Sequence, residues 1–511
     1  MRTHLRRSAA VLSTAALLVG CAVGPNYRRP VATAGTAAWK SAPGWLPAQP
    51  ADDRPRVSWW TRFDDPVLNG LEAQVVAANQ NIAAALAAVE QAQAVVRENR
   101  AALFPTVGVS AGATRNSGGG STIIGGTGVT GTGSTGTGSV GTGGVGTGTG
   151  GTGTGTTVIT GVGSTRRTLG ATASWAPDLF GRVRRGLEGA HASAAASAAD
   201  LANVTLVAQA DLAIDYVDLR SLDAQAKLYD ATVVGYQRAL QITQNRYTAG
   251  VSARADLVQA QSQLFNAQAN AVDLARQRAV YENAIAVLVG RNPSSFAVVA
   301  AAWRPVNPAI PAVLPSTLTE RRPDIAAAER RVAAANAQIG VQKAGYFPSL
   351  SLSAADTLSG GGLGSLFGAA ANFWSFGASA AQTLLDFGAT RARVAQARAV
   401  YAQTVANYRQ TALTAFGEVE NQLAAVDVLD RETALRRNAS TAADQAEAIA
   451  LNQYKAGLVA FTDVITLQTA ALNERLTLVA AIRDRQLATV ALAQAIGGDW
   501  RELVATAAPA R

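Results

Sequence analysis

A single cysteine and only two histidines occur in this chain of 511 residues. One thiol cannot build a disulfide framework. With residues 1–20 set aside as a leader, His191 is the only histidine left. That leaves little material for a Ser-His-Asp triad or a multi-histidine metal site. Charge is also sparse, at 15% of residues. Apart from residues 8–20, no uncharged apolar run is long enough to cross a bilayer as a helix. The net charge of +9 falls to +6 once Arg2, Arg6 and Arg7 leave with the leader. The remaining cations, such as Arg182, Arg184, Arg391 and Arg398, are scattered along helices without interleaved aromatics. A nucleic-acid partner is therefore not expected. Acidic pairs such as Asp211 and Asp215 lie four apart on a helix and read as a solvated face. We expect no enzyme, no metal site and no bound cofactor.

What is present begins with a basic start, an apolar stretch from Ala9 to Val19, and then Leu18-Val19-Gly20-Cys21. This is the pattern of a lipoprotein signal peptide over 1–20 with a lipobox, so Cys21 is the expected site of a covalent lipid. Residues 21–65 form the N-terminal region, in which the Pro-rich stretch 22–58 reads as an extended tether. Trp59-Trp60, Phe63 and Asp65-Pro66 then open the first ordered element, with Asp65 capping a helix whose first turn holds Pro66. That helix should run to about Leu103 and stop before Pro105.

The largest signal is a repeat. Asn245, Tyr247, Gly250, Asp256 and Gln261 recur as Asn452, Tyr454, Gly457, Asp463 and Gln468, all at an offset of 207. The glycines suit left-handed helix stops, and the aspartates fall in the first turn of the following helix. Phe104-Pro105 recurs as Phe347-Pro348 at an offset of 243, and Phe180-Gly181 recurs as Phe387-Gly388 at 207. The drop from 243 to 207 assigns 36 extra residues to the first of two loops. That insertion is the Gly/Thr-rich run at 117–164, whose composition cannot bury enough surface to order itself.

The chain thus divides into a first repeat (66–290), a Pro-rich connector (291–322), a second repeat (323–498) and a tail (499–511). Each repeat holds one long helix, at about Arg182–Thr248 and Thr390–Lys455, and two helices of about half its length. In the first long helix Leu212, Leu219, Ala226, Val233, Leu240 and Tyr247 lie seven apart, the seam of left-handed helix packing. Sixty-odd residues at the standard rise span roughly 100 Å. Each repeat also holds two strands: Val107, Val109, Ala111 and Ala113 alternate, then Leu169, Ala171, Ala173 and Trp175. The second repeat follows with Leu350, Leu352 and Ala354, then Phe376, Ala378 and Ala380. The fold class is α+β and internally duplicated. Four strands cannot close a membrane barrel, and an open edge in lipid is forbidden, so the chain must oligomerise. A dimer or a trimer would serve equally on this argument.

Cys21-Ala-Val-Gly-Pro-Asn-Tyr27, the Trp59–Pro66 motif, Arg321-Arg-Pro-Asp-Ile325, Phe347-Pro-Ser-Leu350, Leu385-Asp-Phe-Gly388 and the two Tyr-x-x-Gly turns together resemble the outer-membrane factor (TolC-like) family. The resemblance is strongest to its lipoprotein branch, the OprM/NodT efflux channels. It implies a homotrimer with a twelve-stranded outer-membrane barrel and a helical periplasmic tunnel. It further implies a periplasmic adaptor, an inner-membrane transporter of the RND type, and localisation in the outer membrane. Ala22 after the cysteine resembles the outer-membrane sorting pattern of lipoproteins. The turns Ala249-Gly250-Val251 and Ala456-Gly457-Leu458 would dock the adaptor, and the Gly/Thr insert would lie outside the cell.

By the same resemblance Asp256, Tyr454, Asp463 and Tyr247 would form a periplasmic gate. Tyr454 would bond an aspartate of the neighbouring helix pair, Asp256, and Asp463 would ring the constriction. The alternative for each aspartate is a helix-start charge facing the dipole. Two departures mark this chain. Val459-Ala460 and Thr466 stand where family members often carry further polar or acidic residues, so the latch should have fewer charged links. The implied function is passive export of substrates delivered by adaptor and transporter. The alternatives are a type I secretion exit duct and, in another class, a lipid-anchored trimeric adhesin.

Overall fold

The structure, a computed structural model, describes residues 22–31, 58–116, 164–308, 321–362, 364, 368 and 372–498. The signal peptide, Cys21, most of the tether, the run 117–163 and the tail 499–511 lie outside the described residues. The chain forms two compact units. One comprises residues 103–178 and 348–382, and the rest of the chain belongs to the other.

The larger unit is helical. α1 (Pro66–Ala78) and α2 (Gln80–Ala101) lead to the 67-residue α3 (Arg182–Thr248), which is followed by α4 (Arg254–Leu288). The second repeat supplies α5 (Pro323–Lys343), the equally long α6 (Ala389–Lys455) and α7 (Phe461–Ala495). α3 and α6 have the same length, and so do α4 and α7 at 35 residues. The duplication read from the sequence is thus preserved in three dimensions. α3 packs on α4 and on α7, and α7 packs on α6. Of the heptad seam on α3, Leu212 and Leu219 are wholly buried, joining Val490 and Leu492 of α7 in the main core.

Two expectations about the N-terminal part are refined. The first helix does not run unbroken to Leu103: Asn79 ends α1 and starts α2. Its Oδ1 accepts from the N–H groups of Asn81 and Ile82, at 2.9 and 3.2 Å, and its Nδ2 donates to the Leu288 carbonyl at 2.9 Å. An N-cap inside an apolar run satisfies the new helix start without any Pro or Gly to announce it. The second refinement concerns the tether, whose first ten residues are pinned. Val23 N–H donates to Phe180 O at 3.0 Å, Arg185 donates to Asn26 Oδ1 at 2.8 Å, and Asn336 Nδ2 donates to Pro25 O at 3.0 Å. Tyr27 donates to Glu329. A side chain on Gly340 would meet Arg185 Cγ at 2.8 Å and Val23 O at 3.0 Å, so the segment can approach only because that position is glycine.

Motif residues singled out in the sequence hold this unit together. Asp65 caps α1 through Val67 N–H at 2.9 Å and also accepts from Tyr216 Oη at 2.6 Å, while Arg220 Nε donates to the same hydroxyl at 2.9 Å. Arg322 bonds Glu418 at 2.6 Å and the last helical carbonyl of α7, Ala495 O, at 3.1 Å. Asp215, expected on a solvated face, is half-buried. Burial, then the charges of Asp211 and Asp218, pushes its carboxyl up to about 6.

The smaller unit is one antiparallel sheet in the order β1 (Thr106–Asn116), β2 (Ser164–Trp175), β3 (Ser349–Gly360), β4 (Asn372–Ala381). The register pairs Val109 with Ala171, Ala173 with Ala354, and Ala354 with Phe376. Directly paired residues share a face, so the alternation seen in the sequence adds up to one apolar face and one face rich in Ser, Thr and Gly. The apolar face also holds charges: Arg167 pairs with Ala113, Arg115 with Thr165, and Asp356 with Ala171 and Trp374. No helix among the described residues is long and apolar enough to cross a membrane.

Candidate functional site

The two turns that dominate the sequence are built identically. Gly250 has φ 76° and Gly457 φ 80°, a region an L side chain enters only with strain. Gly250 N–H donates to Tyr247 O at 2.9 Å and Val251 N–H to Arg246 O at 2.9 Å. Gly457 N–H donates to Tyr454 O at 3.0 Å and Leu458 N–H to Gln453 O at 2.9 Å. These are Schellman stops, which satisfy the last carbonyls of α3 and α6. A Cβ on either glycine would meet nothing within 4 Å, so backbone conformation alone selects glycine. Ala249 and Ala456 are the helix C-caps, and Val251 and Leu458 present their side chains to solvent.

Each aspartate sits in the first turn of its following helix, as the dipole argument requires. Asp463 Oδ2 accepts from the N–H of Ala460 at 3.2 Å, which settles one orphan donor at the start of α7. Asp256 Oδ2 accepts from Ser252 Oγ at 2.7 Å. Thr466, one of the departures, turns its hydroxyl back to Thr462 O at 2.9 Å. Val459, the other, packs against an apolar cluster.

The paired tyrosines diverge. Tyr247 is 38% exposed and Tyr454 only 3%. Tyr454 lies 5.2 Å from the Phe461 ring in a cluster that takes Ala239 from α3, Ala260 from α4, Ala450 from α6 and Val464 from α7. All four helix ends therefore meet around Tyr454. Its hydroxyl is buried and makes no hydrogen bond among the described residues. A bond from Tyr454 to Asp256 is not formed within one chain.

Sequence reasoning missed Arg246. Its guanidinium lies over the Tyr454 ring, 4.7 Å from the centroid, and Nη1 donates to Tyr454 O at 2.9 Å. That carbonyl is the one that accepts from Gly457 N–H, so Arg246 of the first hairpin grips the turn of the second. It also places a cation at the negative end of α6. The signal was available: at an offset of 207, Arg246 corresponds to Gln453, one of the few positions where the two turns differ in charge. A second missed feature does respect the repeat. Asp223 pairs with Arg278 at 2.8 Å, and their counterparts Asp430 and Arg485 pair at 2.5 Å. Arg278 also donates to the Val298 carbonyl at 2.5 Å, which ties the connector to the first hairpin.

Among the described residues, no cluster of His, Cys, Asp or Glu is arranged to hold a metal ion. Comparison with known proteins gives a consistent picture. The family described as "Outer membrane efflux protein" matches residues 72–291 and 314–498. A probable efflux pump outer membrane protein of Pseudomonas putida, TtgC, is 28% identical over 492 residues, covering 96% of this chain and 95% of TtgC. Outer membrane protein OprJ of Pseudomonas aeruginosa is 32% identical over 338 residues, 64% of this chain and 68% of OprJ. Among solved structures, the outer-membrane channel OprN superposes with a TM-score of 0.77 at 28% identity, covering 94% of this chain and 100% of that one.

Proposed function

The chain belongs to the outer membrane efflux protein family, and on that premise we propose that three copies of it form the passive exit duct of a tripartite efflux system. That it is an outer-membrane efflux channel protein follows from the family and its relatives. The trimer and the partners named below are our reading. Substrates would come from an inner-membrane transporter, of the RND type, through a periplasmic adaptor that docks at Ala249–Val251 and Ala456–Leu458. Cys21 would carry a covalent lipid that anchors the chain. Tyr247 and Asp256 at the first turn, with Tyr454 and Asp463 at the second, would form the gate. Transport needs neither ATP nor a chemical step in this chain.

The observation that carries the reading is the sheet. Among the described residues β1 pairs only with β2 and β4 only with β3, so both outer strands carry edges without a partner there. One sheet face is apolar, which suits lipid, but an unpaired edge does not survive in hydrocarbon. Copies of the chain supply the missing partners, and three copies bring twelve strands, enough to enclose a lumen. The apolar-out, polar-in alternation is that of an outer-membrane barrel.

Planar-bilayer recording with the purified full-length protein tests this. We expect discrete conductance steps that become larger or more frequent when Asp256→Ala is combined with Tyr454→Phe. Absence of any conductance from wild type and variant would overturn the channel reading and favour the adhesin. Unchanged conductance in the double variant alone would remove only the gate assignment.

A further inference from the structure

The apolar sheet face changes character towards one end. Directly paired residues share a face, so that face falls into rows across the strands. Trp175 and Leu352 share one row, and Ala173, Ala354 and Phe376 the next. Ala171 with Asp356 and Trp374 follows, then Ala111 with Leu169 and Leu358. The last two rows hold Arg167 between Ala113 and Gly360, and Arg115 opposite Thr165. Arg115 and Arg167 are diagonal neighbours on adjacent strands, close enough for both guanidinium groups to reach one ligand. Arg166 belongs to the other face, where its Nε donates to Ser359 Oγ at 2.7 Å.

Position along the strands selects the leaflet. Thr106, Ser174, Ser349 and Ala381 lie at the end where the chain passes to and from the helices. The arginines lie towards the opposite end. In an outer-membrane channel whose helices extend into the periplasm, that opposite end meets the external leaflet. From Trp175 the row of Arg167 is eight residues away and that of Arg115 ten. At the usual strand rise and tilt this is about 20–25 Å of height, close to that of the apolar band of an outer-membrane barrel. The pair therefore stands at the outer border of the band, where a cation on the lipid face costs little.

No carboxylate among the described residues pairs with either arginine. The bond their guanidinium groups make there runs from Arg167 Nη1 to Gly361 O at 3.0 Å, which leaves most donors of both groups available. Asp356 is two rows from Arg167, about 13 Å along the strand. Ala113 and Gly360 beside Arg167 are too small to cover it, and Arg115 is exposed. On the inward side lie Leu169 and Leu358, then Trp374 and Phe376, which are 79% and 70% exposed. Two cations thus border an apolar bed. Arginine forks take phosphate oxygens in a bidentate fashion, and the bed suits acyl chains, for which a free phosphate has no use.

We propose that Arg115 and Arg167 bind a phosphate of the phosphorylated glycolipid of the external leaflet, whose acyl chains lie over Leu169, Leu358 and Trp374. This rests on the membrane-spanning sheet of the preceding section. Native mass measurement of the purified full-length channel, titrated with bis-phosphorylated lipid A, reads the binding. Phosphate-free lipid A and inorganic phosphate are the comparison probes. Wild type should prefer the phosphorylated lipid about tenfold or more, as charge-assisted paired bonds allow, and millimolar inorganic phosphate should not displace it. Arg115→Gln with Arg167→Gln should abolish the preference, whereas Arg115→Lys with Arg167→Lys should keep part of it. Arg166→Gln and Arg167→Gln remove the same charge one residue apart on opposite faces. Only Arg167→Gln should weaken binding. Equal weakening by both would reduce the effect to net charge and overturn the site. A double Gln variant with wild-type preference, or displacement by inorganic phosphate, would overturn it as well. A double Gln variant that loses the preference and still conducts in planar bilayers would support the site apart from the channel. Absence of conductance from wild type would strike the spanning sheet on which both readings rest.

Discussion

Glu72 shows what one side chain does when the helix around it leaves no choice. It lies on α1, fully buried, and both carboxylate oxygens lack a hydrogen-bond partner among the described residues. Burial disfavours the charged form and pushes the carboxyl from its ordinary 4.5 up to about 9. Between those values the folded chain keeps the proton while the unfolded chain releases it. The stabilising contribution is therefore complete below about pH 4.5, falls as pH rises, and is gone above about 9. Glu72→Gln keeps the shape and removes the ionisation. Thermal melting of the two proteins should coincide near pH 4.5, and the variant should melt several degrees higher at pH 8. Parallel pH profiles would show that Glu72 ionises freely in the folded chain. The sequence held no hint of this, because one Glu among apolar neighbours reads as a helix surface until the packing is known.

Between elements, the informative contact is the one Arg246 makes. The two hairpins are related by the repeat, yet only the first supplies a cation to its partner's turn. Separating α3 from the end of α6 would break a ring–cation contact and a charge-assisted hydrogen bond, together on the order of 1–3 kcal/mol. Arg246→Ala should raise the open probability in planar bilayers on the order of tenfold, since about 1.4 kcal/mol corresponds to a factor of ten. Arg246→Lys should fall between, because the ammonium keeps the charge and loses the planar stack. An Arg246→Ala channel that gates like wild type would show that the two hairpins move together or are held by other contacts. The two long helices and both turns were legible in the sequence, because heptad spacing and a left-handed glycine are local signals. The junction at Asn79 was not, because an N-cap inside an apolar run leaves no break in the pattern. The pinned segment at residues 22–31 was equally hidden, since its partners Glu329 and Asn336 lie some 300 residues away.

At the scale of the whole molecule, exposed Phe265 and buried Leu472 occupy the same position in the two repeats. A charge at Phe265 should therefore break assembly without unfolding the chain. Burying a Phe is worth about 1.5–3 kcal/mol, and an ion in its place adds a desolvation cost. Phe265→Asp should retain its helical circular dichroism and lose the proposed trimer in native mass measurements, whereas Leu472→Asp should lose both. A Phe265→Asp protein that remains trimeric would place the copy interface elsewhere.

Sequence by itself determined the duplication, the four strands, the two long helices and the twin turns, because each is set by residues close together in the chain or by exact recurrence. It also determined the fold class and the family resemblance that the comparisons bear out. Tertiary structure decided what surrounds each turn. Asp463 caps a backbone N–H, Asp256 takes the Ser252 hydroxyl, and Tyr454 is buried under Arg246 while its twin Tyr247 stays half open. The two aspartate bonds are local, whereas the fate of the tyrosines depends on which helix ends converge in space. Two nearly identical segments can meet that question with different answers, so no local pattern in either one contains it.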